Sequence, residues 1–106
     1  MTIEILQSDN KESPISKQLV EDIVRPIIAG STDNLEEQLI NELTNKFQTV
    51  STRHKFLIQL TKIEGNDLKI DNKFGAIWED KDGYMVVKIK EEEFHLMINI
   101  FWLFVS

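Results

Sequence analysis

His54 and His95 are the side chains in this chain best placed to move protons near neutral pH. With no cysteine in the sequence, neither can activate a thiolate, and no Gly-x-Ser-x-Gly elbow supplies a serine nucleophile. His54 follows Arg53 between two periodic segments and reads as a solvated loop residue. His95 falls in a strand-like run and reads as a surface or partly packed residue; a small enzyme would have to pair it with a nearby carboxylate. Asp80, Asp82 and Gly83 have the opening spacing of a calcium loop, but the later ligands and the bidentate Glu are absent, which leaves a turn in which Gly83 supplies a positive φ. Glu91, Glu92 and Glu93 offer neighbouring carboxylates that read as a solvated charge run. Gly30-Ser31-Thr32 lacks the glycine cradle and the lysine of a phosphate loop. Trp78 and Trp102 invite a stacking role, yet both stand in apolar strand-like runs and read as core. The expectation is a non-enzyme with no catalytic residue, no metal site, no cofactor and no small-molecule substrate.

Composition narrows the partners. A chain of 106 residues suits one domain. Its net charge is −6, and its densest basic stretch is Lys88 and Lys90, followed at once by three glutamates. Nucleic acid and anionic membrane surfaces both demand a positive face, so neither is an expected partner. Residues 1–6 carry an acid and no basic stretch, unlike a signal peptide. The closing run from Phe94 has ten apolar residues in thirteen, short of the roughly 20 that span a bilayer. Membrane insertion is therefore not expected, and a cytoplasmic location is.

The elements that would hold these residues follow from periodicity. Residues 2–6 can form a short extra strand, with Ile3 and Ile5 on one face. Ser13-Pro14 predicts a helix start, with Ser13 as the cap and Pro14 at the first position. Ile15, Leu19, Ile23 and Ile27 then recur every four residues, flanked by Val20, Val24 and Ile28. Pro26 should kink or end the last turn, and Gly30 marks the stop. Asp33 and Glu36 have capping-box spacing at the head of a second helix, whose buried face is Leu35, Leu39, Leu43, Phe47 and Val50. Strands are predicted over 55–64, 68–79, 84–90 and 94–105, the second bent near Gly75. The fold class is α+β: two N-terminal helices packed on a four-stranded antiparallel sheet. The last strand is apolar on both faces, with Met97, Phe101, Leu103 and Val105 opposite the core side. Something beyond the helices should cover that second face. The polar, bent segment 68–79 reads as an edge, where another chain can pair.

Phe74-Gly75-Ala76-Ile77-Trp78-Glu79, the Asp82-Gly83 turn and Met97-Ile98-Asn99-Ile100-Phe101-Trp102-Leu103 give the chain a family likeness. Over roughly residues 19–105 it resembles the Tctex-type dynein light chains. Met1-Thr2-Ile3-Glu4-Ile5, Ser13-Pro14 and Ile100-Phe101-Trp102-Leu103 look like a divergent fungal branch of that family associated with the actin cytoskeleton. The resemblance implies residues 13–106 as a Tctex-like domain behind an N-terminal strand or loop segment, residues 1–12. It implies a strand-exchanged homodimer in which residues 68–79 cross to the partner's sheet. It implies an adaptor that grips extended segments of a disordered actin-regulatory protein along that strand, through Leu68, Ile70, Asn72, Phe74, Ala76 and Trp78. The dimer interface would then include Phe74, Ile77, Trp78, Phe101 and Leu103. The actin-associated branch implies cortical actin patches and endocytosis; the wider family leaves open a dynein light chain that links motor and cargo. The chain departs from the dynein light chains in having no cysteine and in placing Asp71-Asn72-Lys73 within the crossing strand.

Overall fold

A computed structural model describes residues 1–8, 13–30, 33–65 and 81–105. Chain order is β1 (Thr2–Gln7), α1 (Lys17–Gly30), α2 (Leu35–Val50), β2 (His54–Glu64), β3 (Gly83–Lys90) and β4 (Phe94–Phe104). The strands form an antiparallel sheet in the order β1-β3-β4-β2. Two helices on this sheet make the α+β fold that the hydrophobic pattern predicted. The N-terminal strand pairs with β3 over six residues, from Thr2 opposite Lys90 to Gln7 opposite Met85. The predicted strand over 68–79 lies outside the described residues.

The α1 helix begins later than Ser13-Pro14 suggested. Ser16 is the cap: its hydroxyl accepts the Leu19 N–H at 3.0 Å, and its carbonyl accepts the Val20 N–H at 3.2 Å. Pro14 disfavours helical geometry at Ser13, which instead closes a short turn with Ile15. Ile15 then enters the core just before the helix, as does Val20 four positions after the cap. Pro26 does not end the helix, which runs on to Gly30. The buried centre of the stripe is Val20, Val24 and Ile28, while Leu19, Ile23 and Ile27 flank it half-buried. One residue is about 100° around a helix, so the packing partners alone choose between the two rows.

The α2 helix also starts differently from its sequence signature. Its cap is Asn34, in the left-handed region at φ 54° with no side-chain hydrogen bond to the helix. Asn tolerates that conformation better than most residues. The cap falls one residue after the predicted Asp33, and Gln38 donates from its side chain to the Asp33 carbonyl at 3.2 Å. Leu35, Leu39, Leu43 and Phe47 are buried as expected, whereas Val50, the last residue of the helix, is 39% exposed.

The core lies between the helices and one face of the sheet. Met85, Val87, Ile89, Leu96, Ile98, Ile100 and Trp102 supply its sheet side, all 1% exposed or less. Phe47 of α2 meets Phe56 of β2 with ring centroids 5.0 Å apart. These alternate residues share a face because strand side chains point to opposite sides in turn.

Candidate functional site

The β4 strand is central, with β3 on one side and β2 on the other, so it cannot recruit another strand itself. Its helix-free face is assembled by register. Tyr84, Phe101 and Leu57 stand abreast across β3, β4 and β2; Val86, Asn99 and Gln59 form the next rank; Lys88, Met97 and Thr61 the next; Lys90, His95 and Ile63 the last. The β1 strand adds Leu6, Glu4 and Thr2 beside Val86, Lys88 and Lys90.

This face is not uniform. Val86, His95, Met97 and Asn99 are buried, although the helices lie on the other side. At the opposite end Leu57 is 66% and Leu103 48% exposed. With Lys55, Phe56 and Phe101 they line an open apolar depression of about 260 Å³. Exposed single leucines are common, but adjacent ones on neighbouring strands form a patch, and patches mark contact surfaces.

Of the residues expected at a dimer interface, Phe101 and Leu103 fall on this face and line the depression. Phe74, Ile77 and Trp78, and the partner-binding set Leu68, Ile70, Asn72, Phe74, Ala76 and Trp78, lie outside the described residues. Leu57 was not singled out by pattern reading. The signal was present: in β2 it shares its face with Lys55, Gln59 and Thr61, the wrong company for a leucine facing water.

The turn before β3 is built around a close approach. A Cβ on Gly83 would stand 2.7 Å from Trp102 Cζ2 and 2.8 Å from Ser8 Oγ. Gly83 does not adopt a positive φ, so the expected reason for a glycine is replaced by a steric one. Ser8 Oγ accepts the Tyr84 N–H at 3.1 Å, and Asp82 Oδ1 accepts the Phe104 N–H at 2.7 Å. Asp82 thus ties the turn to the end of β4.

Neither histidine behaves as the loop and surface readings predicted. His54 opens β2, with Nδ1 2.7 Å from the Ser51 hydroxyl and its ring against Phe56 and Phe104. Its Nε2 is buried with no partner among the described residues, so the residue is packed rather than solvated. His95 is 7% exposed, and among the described residues neither a carboxylate nor any other partner is hydrogen-bonded to its Nε2. A proton-transfer pair at His95 is therefore not formed among the described residues. A cavity of about 780 Å³ between the α1–α2 connection and the β2 and β4 ends gathers Asp33, Glu36, Glu64, Glu91 and Glu93. Lys62 answers part of that charge, 3.6 Å from Glu36, and lies 5.0 Å above the Phe94 ring. No group of three or more His, Asp or Glu among the described residues is arranged to hold a metal ion. No helix among them is long and apolar enough to cross a membrane.

Comparison with known proteins agrees with this architecture. The Tctex-1 family model matches residues 9–103. "Topoisomerase I damage affected protein 2" of Clavispora lusitaniae is 27% identical over 105 residues, covering 92% of this chain and 91% of that protein. The protein of the same name from Candida glabrata is 25% identical over 111 residues, covering 97% and 98%. The β1 strand precedes the stretch that the family model matches.

Proposed function

Because the chain belongs to the Tctex-1 family, that of the dynein light chains, we propose that it is a non-catalytic homodimeric adaptor that binds extended segments of a disordered protein by β-augmentation. The observation that carries this reading is the apolar patch of Leu57, Phe101 and Leu103 on the helix-free sheet face. A second copy docked there would remove the patch from water and cover the second apolar face of β4. The segment 68–79 would supply the crossing strand and the peptide groove, with Leu68, Ile70, Asn72, Phe74, Ala76 and Trp78 alternating along it. Since β1 and β4 occupy both flanks of β3, an incoming strand would join the sheet beside β1 or beside β2.

The cellular role we propose is regulation of actin assembly at endocytic cortical patches, through capture of a disordered actin regulator. It rests on the likeness of the sequence motifs to the actin-associated branch of the family. The alternative is a dynein light chain that links motor and cargo, which family membership alone supports equally well. Multi-angle light scattering tests the first part: a dimer at micromolar concentration is expected, and a stable monomer overturns it. Affinity purification from cells tests the second: actin regulators are expected among the recovered proteins. Dynein chains recovered without them would establish the alternative.

A further inference from the structure

Among the described residues the sheet has two outer strands, β1 and β2, and they are not equally guarded. Lysine, proline and bulges are common guards of an exposed edge. The β2 strand carries Lys55 and Lys62. The β1 strand has no lysine, proline or glycine, and its six residues pair with β3 without a bulge. Ser8 sets its hydrogen-bonding phase, because its N–H donates to the Tyr84 carbonyl at 3.0 Å. Bonded pairs recur at every second residue of an antiparallel ladder, so Thr2, Glu4 and Leu6 turn their backbone groups toward β3. Ile3, Ile5 and Gln7 then aim N–H and C=O outward, where no strand lies among the described residues. The side chains there are partly bare: Ile3 and Ile5 are half-buried at the core margin, and Leu6 is 47% exposed. The family model begins after this strand, so family membership assigns the edge no role.

An incoming strand would extend the sheet by exchanging backbone bonds with Ile3, Ile5 and Gln7. Its residues opposite Ile3 and Ile5 would point to the helix side, and the residue opposite Glu4 to the helix-free side. Glu4 is the one charged side chain of β1, and it is exposed. Lys88 and Lys90 stand one strand farther in, about 10 Å from an added strand and beyond the roughly 8 Å screening length of physiological salt. Glu4, at about 5 Å, therefore sets the charge that fits. A second copy brings the same glutamate and a net charge of −6, so two chains meeting edge to edge repel. We infer that the outer edge of β1 is a strand-addition site for an extended segment of another protein, one with a Lys or Arg between two apolar residues. The edge stands on sheet order and backbone phase; only the role of the bound segment as an adaptor's partner rests on the proposed function.

Amide hydrogen exchange of the full chain, followed by NMR, tests this. The probe is the acetylated, amidated heptapeptide Ser-Thr-Val-Lys-Val-Thr-Ser, and the control carries Glu in place of Lys. The Lys peptide is expected to slow exchange at Ile3, Ile5 and Gln7, and to leave Glu4 and Leu6, already bonded to β3, unchanged. The Glu peptide should bind about fivefold more weakly. Glu4→Lys, at an exposed position, should reverse that preference with the rest of the spectrum unchanged. Ile5→Pro removes an outward N–H and no bond to β3, so it should abolish binding; if that variant does not fold, Gln7→Pro makes the same cut at the strand end. Unchanged exchange at saturating peptide overturns the proposal, as does equal slowing at odd and even positions. Equal binding of the Lys and Glu peptides overturns the basic segment. Protection of Ile3, Ile5 and Gln7 that grows with protein concentration, without peptide, makes a second copy the occupant and overturns the partner assignment. The adaptor reading fails separately, as a monomer in light scattering with the alternating protection intact.

Discussion

Gly83→Ala tests the packing logic at the point where three strands and a turn converge. The new methyl group would lie 2.7 Å from Trp102 Cζ2 and 2.8 Å from Trp102 Cε2, well inside the ordinary carbon–carbon separation of about 3.5–4.0 Å. Trp102 is fully buried in the core and cannot swing aside without disturbing Met85 and Ile100. Ser8 Oγ, the third close atom, can rotate, but it then releases the Tyr84 N–H. Overpacking of this kind costs about 1–3 kcal/mol, and the released hydrogen bond adds about 1 kcal/mol. Restricting the unfolded chain returns roughly 0.4–1 kcal/mol in favour of Ala. The net expectation is a loss of about 2 kcal/mol, which for a domain of this size lowers the thermal midpoint by roughly 8 °C. Gly30→Ala is the matched control. Nothing lies within 4 Å of its would-be Cβ, and it ends a helix without a positive φ. That substitution should be neutral or stabilise by up to about 1 kcal/mol. Thermal and urea unfolding followed by circular dichroism measure both. If Gly83→Ala unfolds at or above the wild-type midpoint, the close approach does not constrain this turn and the steric account of Gly83 is wrong.

Three further outcomes are expected. Leu57→Asp with Leu103→Asp places charge on exposed side chains, so the circular dichroism spectrum should be unchanged while self-association weakens by about 3 kcal/mol or more, read by analytical ultracentrifugation. Asp82→Ala leaves the Phe104 N–H without its acceptor; stability should fall by about 1.5–3 kcal/mol in urea titration, and exchange of that amide should accelerate. Removal of residues 1–7 strips Ile3 and Ile5 from the core margin and bares the flank of β3, so the truncated chain should be less stable and more prone to concentration-dependent association in sedimentation.

Much of the fold was legible because periodicity is a local property. Leu35, Leu39, Leu43 and Phe47 had to face one side of a helix, and Leu96, Ile98, Ile100 and Trp102 one side of a strand, whatever they packed against. Cap positions were less legible. Ser13 and Ser16 are both good N-caps, and Asp33 and Asn34 both good helix starters, so neighbouring candidates differ by less than the packing that decides between them. The candidate site was legible in part. Phe101 and Leu103 were marked by a strand apolar on both faces, but Leu57 mattered only once register set it beside Phe101.

The sequence by itself determined the element types of the described residues, the apolar faces and the lack of any thiol chemistry, since each depends on residue type and short-range spacing. Tertiary structure alone decided three things. It put β1 against β3 and so closed the flank where a following strand might pair. It made Gly83 a steric necessity, because Trp102 and Ser8 arrive there from both ends of the chain. It also brought Lys88, Lys90, Thr2, Glu4 and His95 around one cavity. Contacts between residues far apart in the chain depend on which strands become neighbours, and that choice belongs to the whole core rather than to any local pattern.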